Sequence, residues 1–315
     1  MILLALLFPG QGSQEVGMGR DAFEASAAAR AVFEAADTAL GWSLSQICFD
    51  GPEEDLRRTE IQQPALLTTS IALLRAFEAE AGPLKPESLG GHSLGEYSAL
   101  VASGAMKFED AVRTVHARGQ FMQEAVAEGE GAMAAVMGCG PEIVREACAK
   151  VTQELGQVVA PANYNSPQQT VIAGEAAAVL AACDAAKELG AKRVAQLNVS
   201  APFHCELMAP AARQLRPVLD GVAFGAMAPP VVTNVEAAPN DDPARVSEIL
   251  VQQVTAPVRF TEMIASMQEL GVTHFLEVGA GRVLTGLLAR IDRRGKRANL
   301  SQWGDVEDVQ DFLAN

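Results

Sequence analysis

Two periods of apolar residues run through this chain. The opening stretch to Phe8 is continuously apolar, far too short to cross a membrane, and is closed by Pro9-Gly10. It predicts a buried strand over residues 1–8. A helical period follows from about Pro64 to Glu80, then a short strand from Ser88 to Gly91, then a helix from Glu96 to Ala105. Between 131 and 199 the elements shorten. Ala132 to Met137 reads as strand, and Pro141 to Leu155 as helix with proline in its first turn. Val158 to Asn163 is a strand, Asn165-Ser166-Pro167 a turn, and Thr170 to Ala173 a strand. Glu175 to Leu189 is then a helix and Arg193 to Val199 a strand. That order, βαββαβ, is the split ferredoxin-like unit, complete in itself.

The chain therefore divides into a discontinuous large domain, residues 1–129 and 200–315, and an inserted small domain, residues 130–199, with hinges near Gly129 and Ser200. Past the insert, Val231 to Val235 and Thr273 to Val278 read as strands. The second leads through Gly279-Ala280-Gly281 into a helix from Val283 to Ile291. Strands alternating with helices on both sides of the insert predict an α/β domain with a mostly parallel sheet covered on both faces.

Composition narrows the function classes. The 315 residues carry 39 acidic against 24 basic side chains, a net charge of −15. That balance argues against nucleic acid and anionic membranes as partners. An acidic partner would need a local basic patch. The densest such run is Arg290 to Arg297, which reads as a helix C-terminus with Gly295 as its stop in preference to a docking patch. The five cysteines, Cys48, Cys139, Cys148, Cys183 and Cys205, are scattered and form no C-x-x-C. A reduced, cytoplasmic protein without disulfide frame or zinc site is expected. The apolar start lacks a basic leader and a small-residue cleavage site, so it is read as a strand and not as a signal peptide.

Gly91-His92-Ser93-Leu94-Gly95 has the pattern G-x-S-x-G. In this elbow a serine sits on a sharp strand-to-helix bend, and flanking glycines avoid Cβ clashes. The following backbone N–H is aimed where an oxyanion forms. A chain this long matches the pattern by chance about one time in ten, so Ser93 needs partners. A serine hydroxyl requires a base. His92 adjoins Ser93 but points away, His274 lies within a strand, and His116 sits on a helix opposite its main apolar face. His204, in the Pro-bounded loop Ser200-Ala201-Pro202-Phe203-His204-Cys205 at the domain junction, is the candidate base. On the helix from Glu109 to about Gln123, Arg118 shares the apolar face of Ala111, Val115 and Met122, while Arg113 faces solvent. An arginine on a core face needs either a structural carboxylate partner or an anionic ligand. Gly10-Gln11-Gly12 follows a strand, but Glu15 stands where a dinucleotide fingerprint wants glycine, leaving a tight-turn or oxyanion-hole role.

Taken in order along the chain, these residues resemble the malonyl-CoA:acyl carrier protein transacylase family. The resemblance spans Phe8 to Gln14, Gln63-Pro64-Ala65, Gly91 to Glu96, Arg118, Asn163 to Pro167, Phe203-His204, Gln253 to Val258 and Glu277 to Gly281. The family's fold is a hydrolase-like, mostly parallel α/β domain with a ferredoxin-like insert. The resemblance implies Ser93 as nucleophile, His204 as base and later acid, and Gln253 as the group orienting His204. It implies the N–H groups of Gln11 and Leu94 as oxyanion hole and Arg118 as the clamp for a malonyl carboxylate. Asn163 and Gln63 are implied as supporting substrate-site residues. Leu94 and Phe203 resemble malonyl-selective members, Phe203 shrinking the pocket beside the α-carbon. The implied reaction is ping-pong transfer of malonyl from malonyl-CoA to the phosphopantetheine thiol of acyl carrier protein, with no metal or redox cofactor. A monomer is the default expectation. The rival expectations are a trans-acting acyltransferase of polyketide synthesis, a serine hydrolase or thioesterase, and a non-catalytic carrier-binding subunit.

Overall fold

A computed structural model describes residues 2–199 and 201–314. Met1, Ser200 and Asn315 lie outside the described residues, and with Ser200 the second expected hinge. The main sheet has six strands in the order β10-β9-β1-β2-β7-β8. These are β1 (Leu4–Phe8), β2 (Ser88–Gly91), β7 (Val231–Val232), β8 (Pro239–Asn240), β9 (His274–Val278) and β10 (Lys296–Leu300). Every pairing is parallel except β7 with β8. The apolar run of β1 is explained by its central place, since both of its faces are covered. Leu4, Leu6 and Phe8 point into the larger core, under the helices Ala27–Leu40, Thr59–Ala81, Gly95–Ala102 and Phe108–Glu124. Ala5 and Leu7 point into the other core, under Phe260–Glu269 and Val283–Ile291. Each fully buried leucine contributes about 1.5–3 kcal/mol.

The second sheet is antiparallel, ordered β4-β5-β3-β6. Its strands are β3 (Gly131–Met137), β4 (Val159–Ser166), β5 (Gln169–Glu175) and β6 (Arg193–Gln196), with the helices Pro141–Leu155 and Ala176–Glu188 between them. This is the ferredoxin-like arrangement, with its own core around Val136, Val144, Ile172 and Val179. Gly129 stands just before it at φ 84°. Backbone bonds from Tyr164 N–H to the Val258 carbonyl (2.8 Å) and from Val258 N–H to the Ala162 carbonyl (2.9 Å) tie β4 to the large domain.

Several boundaries differ from the sequence reading. The helix expected from Pro64 begins at Thr59, so Pro64 lies inside it. Pro64 has no N–H for the Glu60 carbonyl, and His116 Nδ1 takes that place at 2.8 Å. The helix after the elbow ends at Ala102, before Gly104 at φ 82°. Strand β4 runs through to Ser166, past the expected turn at Asn165, because the β4–β5 pairing continues to Ser166 and Gln169. Strand β6 stops at Gln196 and β7 spans only two residues. The basic run is also reassigned. Its helix ends at Ile291 with Asp292 as cap, Gly295 lies in the following turn, and Lys296–Leu300 is the edge strand β10. Lys296 is in register with His274 at the start of β9. The run therefore sits at the opposite end of the sheet from Phe8 and Gly91, which lead into the elbow. No helix among the described residues is long and apolar enough to cross a membrane.

Candidate active site

The elbow forms where β2 ends. Ser93 adopts φ 51°, which a serine enters only at a cost and only when its surroundings impose it. A Cβ on Gly91 would lie 2.1 Å from the Gly95 carbonyl carbon, and one on Gly95 would lie 2.0 Å from the Phe8 carbonyl oxygen. Only glycine lets the helix Gly95–Ala102 start this close to β1.

The structure brings His204 to Ser93. Oγ and Nε2 are 2.7 Å apart, and His204 too holds a left-handed conformation at φ 60°. His204 Nδ1 lies 2.9 Å from the backbone carbonyl of Gln253. A carbonyl accepts only, so Nδ1 carries the proton and Nε2 is free to accept one from Ser93. Gln253 thus meets His204 through its main chain, and its side chain faces elsewhere. Gln253 Nε2 donates to the Ser93 carbonyl (3.0 Å) and to the Glu96 carboxylate (2.8 Å), and its Oε1 accepts from Arg118 (3.0 Å).

Arg118 is 0% exposed. Its guanidinium donates to Gln63 Oε1 at 2.7 Å, to Ser93 Oγ at 3.1 Å and to Gln253 Oε1. None of these acceptors is a carboxylate. Nε is buried without a partner, and the group lies over the Tyr97 ring at 5.5 Å. This removes the ion-pair explanation of a core-face arginine. The charge instead stands beside the nucleophile, where a ligand carboxylate would meet it. Arg113 is exposed and pairs with Asp110.

Burial shapes the electrostatics. It depresses His204 to about 3, and the Arg118 charge adds to that while the Gln253 carbonyl opposes it. The imidazole is therefore neutral near pH 7, as a base must be. Burial lifts Glu96 to about 7, and the Asn234 N–H, Gln253 and Arg118 oppose the rise.

Gln11 extends its side chain to Gln62 Oε1 (2.6 Å). The backbone N–H of Leu94 opens the helix after the elbow, where peptide dipoles favour negative charge. Phe203 is buried immediately before His204. Asn163 is buried on β4, bridged through its backbone to Val258. It is its neighbour Asn165 that reaches the elbow, with Oδ1 2.8 Å from His92 Nε2. His274 packs on Phe312 at the far end of the sheet, and His116 is absorbed by the Glu60 carbonyl and the Trp42 ring. Among the described residues no cluster of three His, Cys, Asp or Glu side chains could hold a metal.

Two residues escaped the sequence reading. Asn234 Oδ1 accepts from Ser93 N–H (2.7 Å) and its Nδ2 donates to the Gly91 carbonyl (2.7 Å). Glu96 Oε2 accepts from the Asn234 N–H at 2.9 Å. Glu96 had a legible signal: a carboxylate in the first turn of an otherwise apolar helix. Asn234 had none, since its role depends on a fold that returns it to the elbow 141 residues away.

A family model described as acyl transferase domain matches residues 5–301. Malonyl CoA-acyl carrier protein transacylase of Bacillus subtilis is 48% identical over 307 residues, covering 98% of this chain and 96% of that protein. The solved structure of an acyl carrier protein S-malonyltransferase from Vibrio cholerae matches with a TM-score of 0.94 at 44% identity, covering 97% of this chain and 99% of that one. A malonyl-transacylase solved in complex with its type II polyketide acyl-carrier protein matches with a TM-score of 0.94 at 44% identity, over 99% of this chain and all of that one.

Proposed function

This chain belongs to the acyl transferase family, and on that premise we propose that it carries malonyl groups from malonyl-CoA to the phosphopantetheine thiol of acyl carrier protein, supplying fatty acid synthesis. The observation that carries the choice of acyl group is Arg118, a fully buried cation with no carboxylate acceptor, 3.1 Å from Ser93 Oγ. An acyl group bearing a carboxylate close to its carbonyl supplies what Arg118 lacks.

In this reading Ser93 Oγ attacks the thioester carbonyl while His204 Nε2 takes its proton, supported by their 2.7 Å bond. The N–H groups of Gln11 and Leu94 stabilise the oxyanion. As the intermediate collapses, the imidazolium returns the proton to the departing CoA sulfur. The malonyl ester then waits until the carrier thiol, deprotonated by His204, attacks it and Ser93 leaves with that proton. One site serves both thiols in turn, so the kinetics are ping-pong. Gln63 and Gln253 hold Arg118, and Asn163 backs the pocket wall. The chemistry requires no metal or redox cofactor, since serine and imidazole handle acyl group and proton between them.

The protein is expected to act as a monomer; sedimentation of the active protein checks it. Five free cysteines support a reducing, cytoplasmic setting. Phe203 beside His204 supports malonyl over methylmalonyl, and one methyl is worth about 1–3 kcal/mol. Equal kcat/KM for the two CoA esters would overturn that preference. The deciding experiment mixes the protein with malonyl-CoA alone and weighs it intact beside Ser93→Ala. A single malonyl adduct, absent from the variant and discharged by holo carrier protein, is the expected result. Steady CoA release without an adduct would make the protein a hydrolase. The likeness to a polyketide transacylase gives a second reading of the acceptor, decided by comparing kcat/KM for fatty-acid and polyketide carrier proteins.

A further inference from the structure

Glu96 is 1% exposed, yet nothing in the transfer reaction described above uses it. A buried carboxylate is costly, so its partners are informative. One oxygen, Oε2, accepts both the Asn234 N–H at 2.9 Å and Gln253 Nε2 at 2.8 Å. Each of these neighbours holds one half of the reacting pair. Asn234 grips the elbow by the Ser93 N–H and the Gly91 carbonyl, and so holds Ser93 in its left-handed conformation. Gln253 accepts the His204 Nδ1 proton on its carbonyl, and its side chain bonds the Ser93 carbonyl and Arg118. Glu96 is the node where the turn after β7, which braces the nucleophile, and the helix Val246–Gln253, which orients the base, are fastened together.

The node also bears on charge. A Ser-His pair generates an imidazolium during attack, and a backbone carbonyl stabilises it less well than a carboxylate does. Here the carboxylate stands one residue further out, bonded to the side chain of the residue whose main chain holds the imidazole. Once a substrate carboxylate offsets Arg118, Glu96 supplies the remaining negative charge.

Resting on the transfer reading, we propose that Glu96 is a positioning residue of this site: its carboxylate fixes Asn234 and Gln253 together, sets Ser93 against His204, and favours the charged imidazole. Charge-assisted bonds are roughly twice as strong as neutral ones, so the brace loosens when Glu96 takes up a proton. The charged and titratable groups facing it are Arg118 from the helix Phe108–Glu124, Tyr97 on its own helix, and Glu236 from the segment after β7. Burial places the protonation of Glu96 near neutrality, whereas that of His204 lies far below.

The test labels Ser93 in the intact protein with a small fluorophosphonate from pH 5.5 to 8.5. The reagent reports serine nucleophilicity and needs no malonyl group. The wild type is expected to lose reactivity as pH falls through about 7. In Glu96→Gln, which keeps an acceptor oxygen but no charge, we expect a rate at pH 8 at least tenfold lower and level across this range. Asn234→Ala, which removes the grip on Ser93 but leaves Glu96 ionisable, is expected to be slow with the wild-type pH dependence kept, and it decides the matter if Glu96→Gln does not fold. A wild-type rate in either variant, or an unchanged acid limb in Glu96→Gln, would overturn the proposal. Because the labelling is independent of malonyl-CoA, failure of the wild type to take a malonyl group would sink the transfer reading alone.

Discussion

Arg118 keeps a full charge out of water on three neutral acceptors, and that arrangement fixes what its removal does. Losing one partner of a buried charge pair costs about 2–5 kcal/mol. Arg118→Ala should therefore lower kcat/KM for malonyl-CoA at least roughly 30-fold, while acetyl-CoA, which has no carboxylate to lose, should fall far less. Steady-state rates with both esters check this. Glu96 gives the opposite kind of expectation, in stability. Its pKa is raised from 4.5 to about 7 on folding, so burial costs nothing below pH 4.5, costs progressively more from there to 7, and levels off at its full value above 7. Glu96→Gln should melt above the wild type at pH 8, and the difference should vanish toward pH 5. A lower melting temperature at pH 8 would contradict this. His204 works in the other sense. Its pKa is depressed to about 3, so its stabilising contribution is complete above 6.5 and is lost as the pH falls toward 3. Of these residues, Arg118 was legible from helical periodicity alone, because one polar residue on an apolar face stands out. For Gln253, no pattern could say that its main chain, and not its amide, would face the imidazole.

At the level of elements, the helix Thr59–Ala81 shows where periodicity fails. Nearly every residue from Thr59 to Phe77 is buried, so it has no polar face to mark its start, and a proline at position 64 looks like an N-terminus. What carries the helix through Pro64 is borrowed from outside, the His116 ring donating to the carbonyl the proline leaves open. His116→Ala should cost about 1–3 kcal/mol by stranding that carbonyl. The double variant with Pro64→Ala, which restores an internal N–H, should recover part of the loss. Urea titrations of the single and double variants measure the coupling, and strict additivity would refute it. The strands divide the same way. β1 and β9 are buried throughout; β1 is legible as an apolar run, and β9 reads as a strand although it carries His274 and Glu277. β10 was not, because an edge strand reading Lys-Arg-Ala-Asn-Leu, mostly half-exposed, carries no apolar alternation.

For the whole molecule, the βαββαβ insert could be recognised because its order of elements is self-contained. What could not be read was how it meets the large domain. The first strand of the insert packs against the loop leading out: a Cβ on Gly131 would lie 2.4 Å from Pro202 Cδ. Pro202 is two residues from His204. Gly131→Ala should therefore overpack the junction by about 1–3 kcal/mol and displace the base. We expect slower malonyl-ester formation with the far-ultraviolet circular dichroism unchanged, and an unaltered rate would show that the junction and the base are mechanically independent.

The central place of β1 has a consequence in time. It is synthesised long before one of its two neighbours, because it lies between β2 and β9. Leu4 pairs with His274, and the two segments meet across a separation of 270 residues. At about 5–20 residues per second, β1 waits roughly 15 to 50 seconds for its second neighbour. During that interval a five-residue apolar strand has one bare edge, the kind of surface that recruits other nascent chains. Synthesis that stalls late, after the serine and its base are already made, would thus leave a chain able to aggregate and not yet able to work.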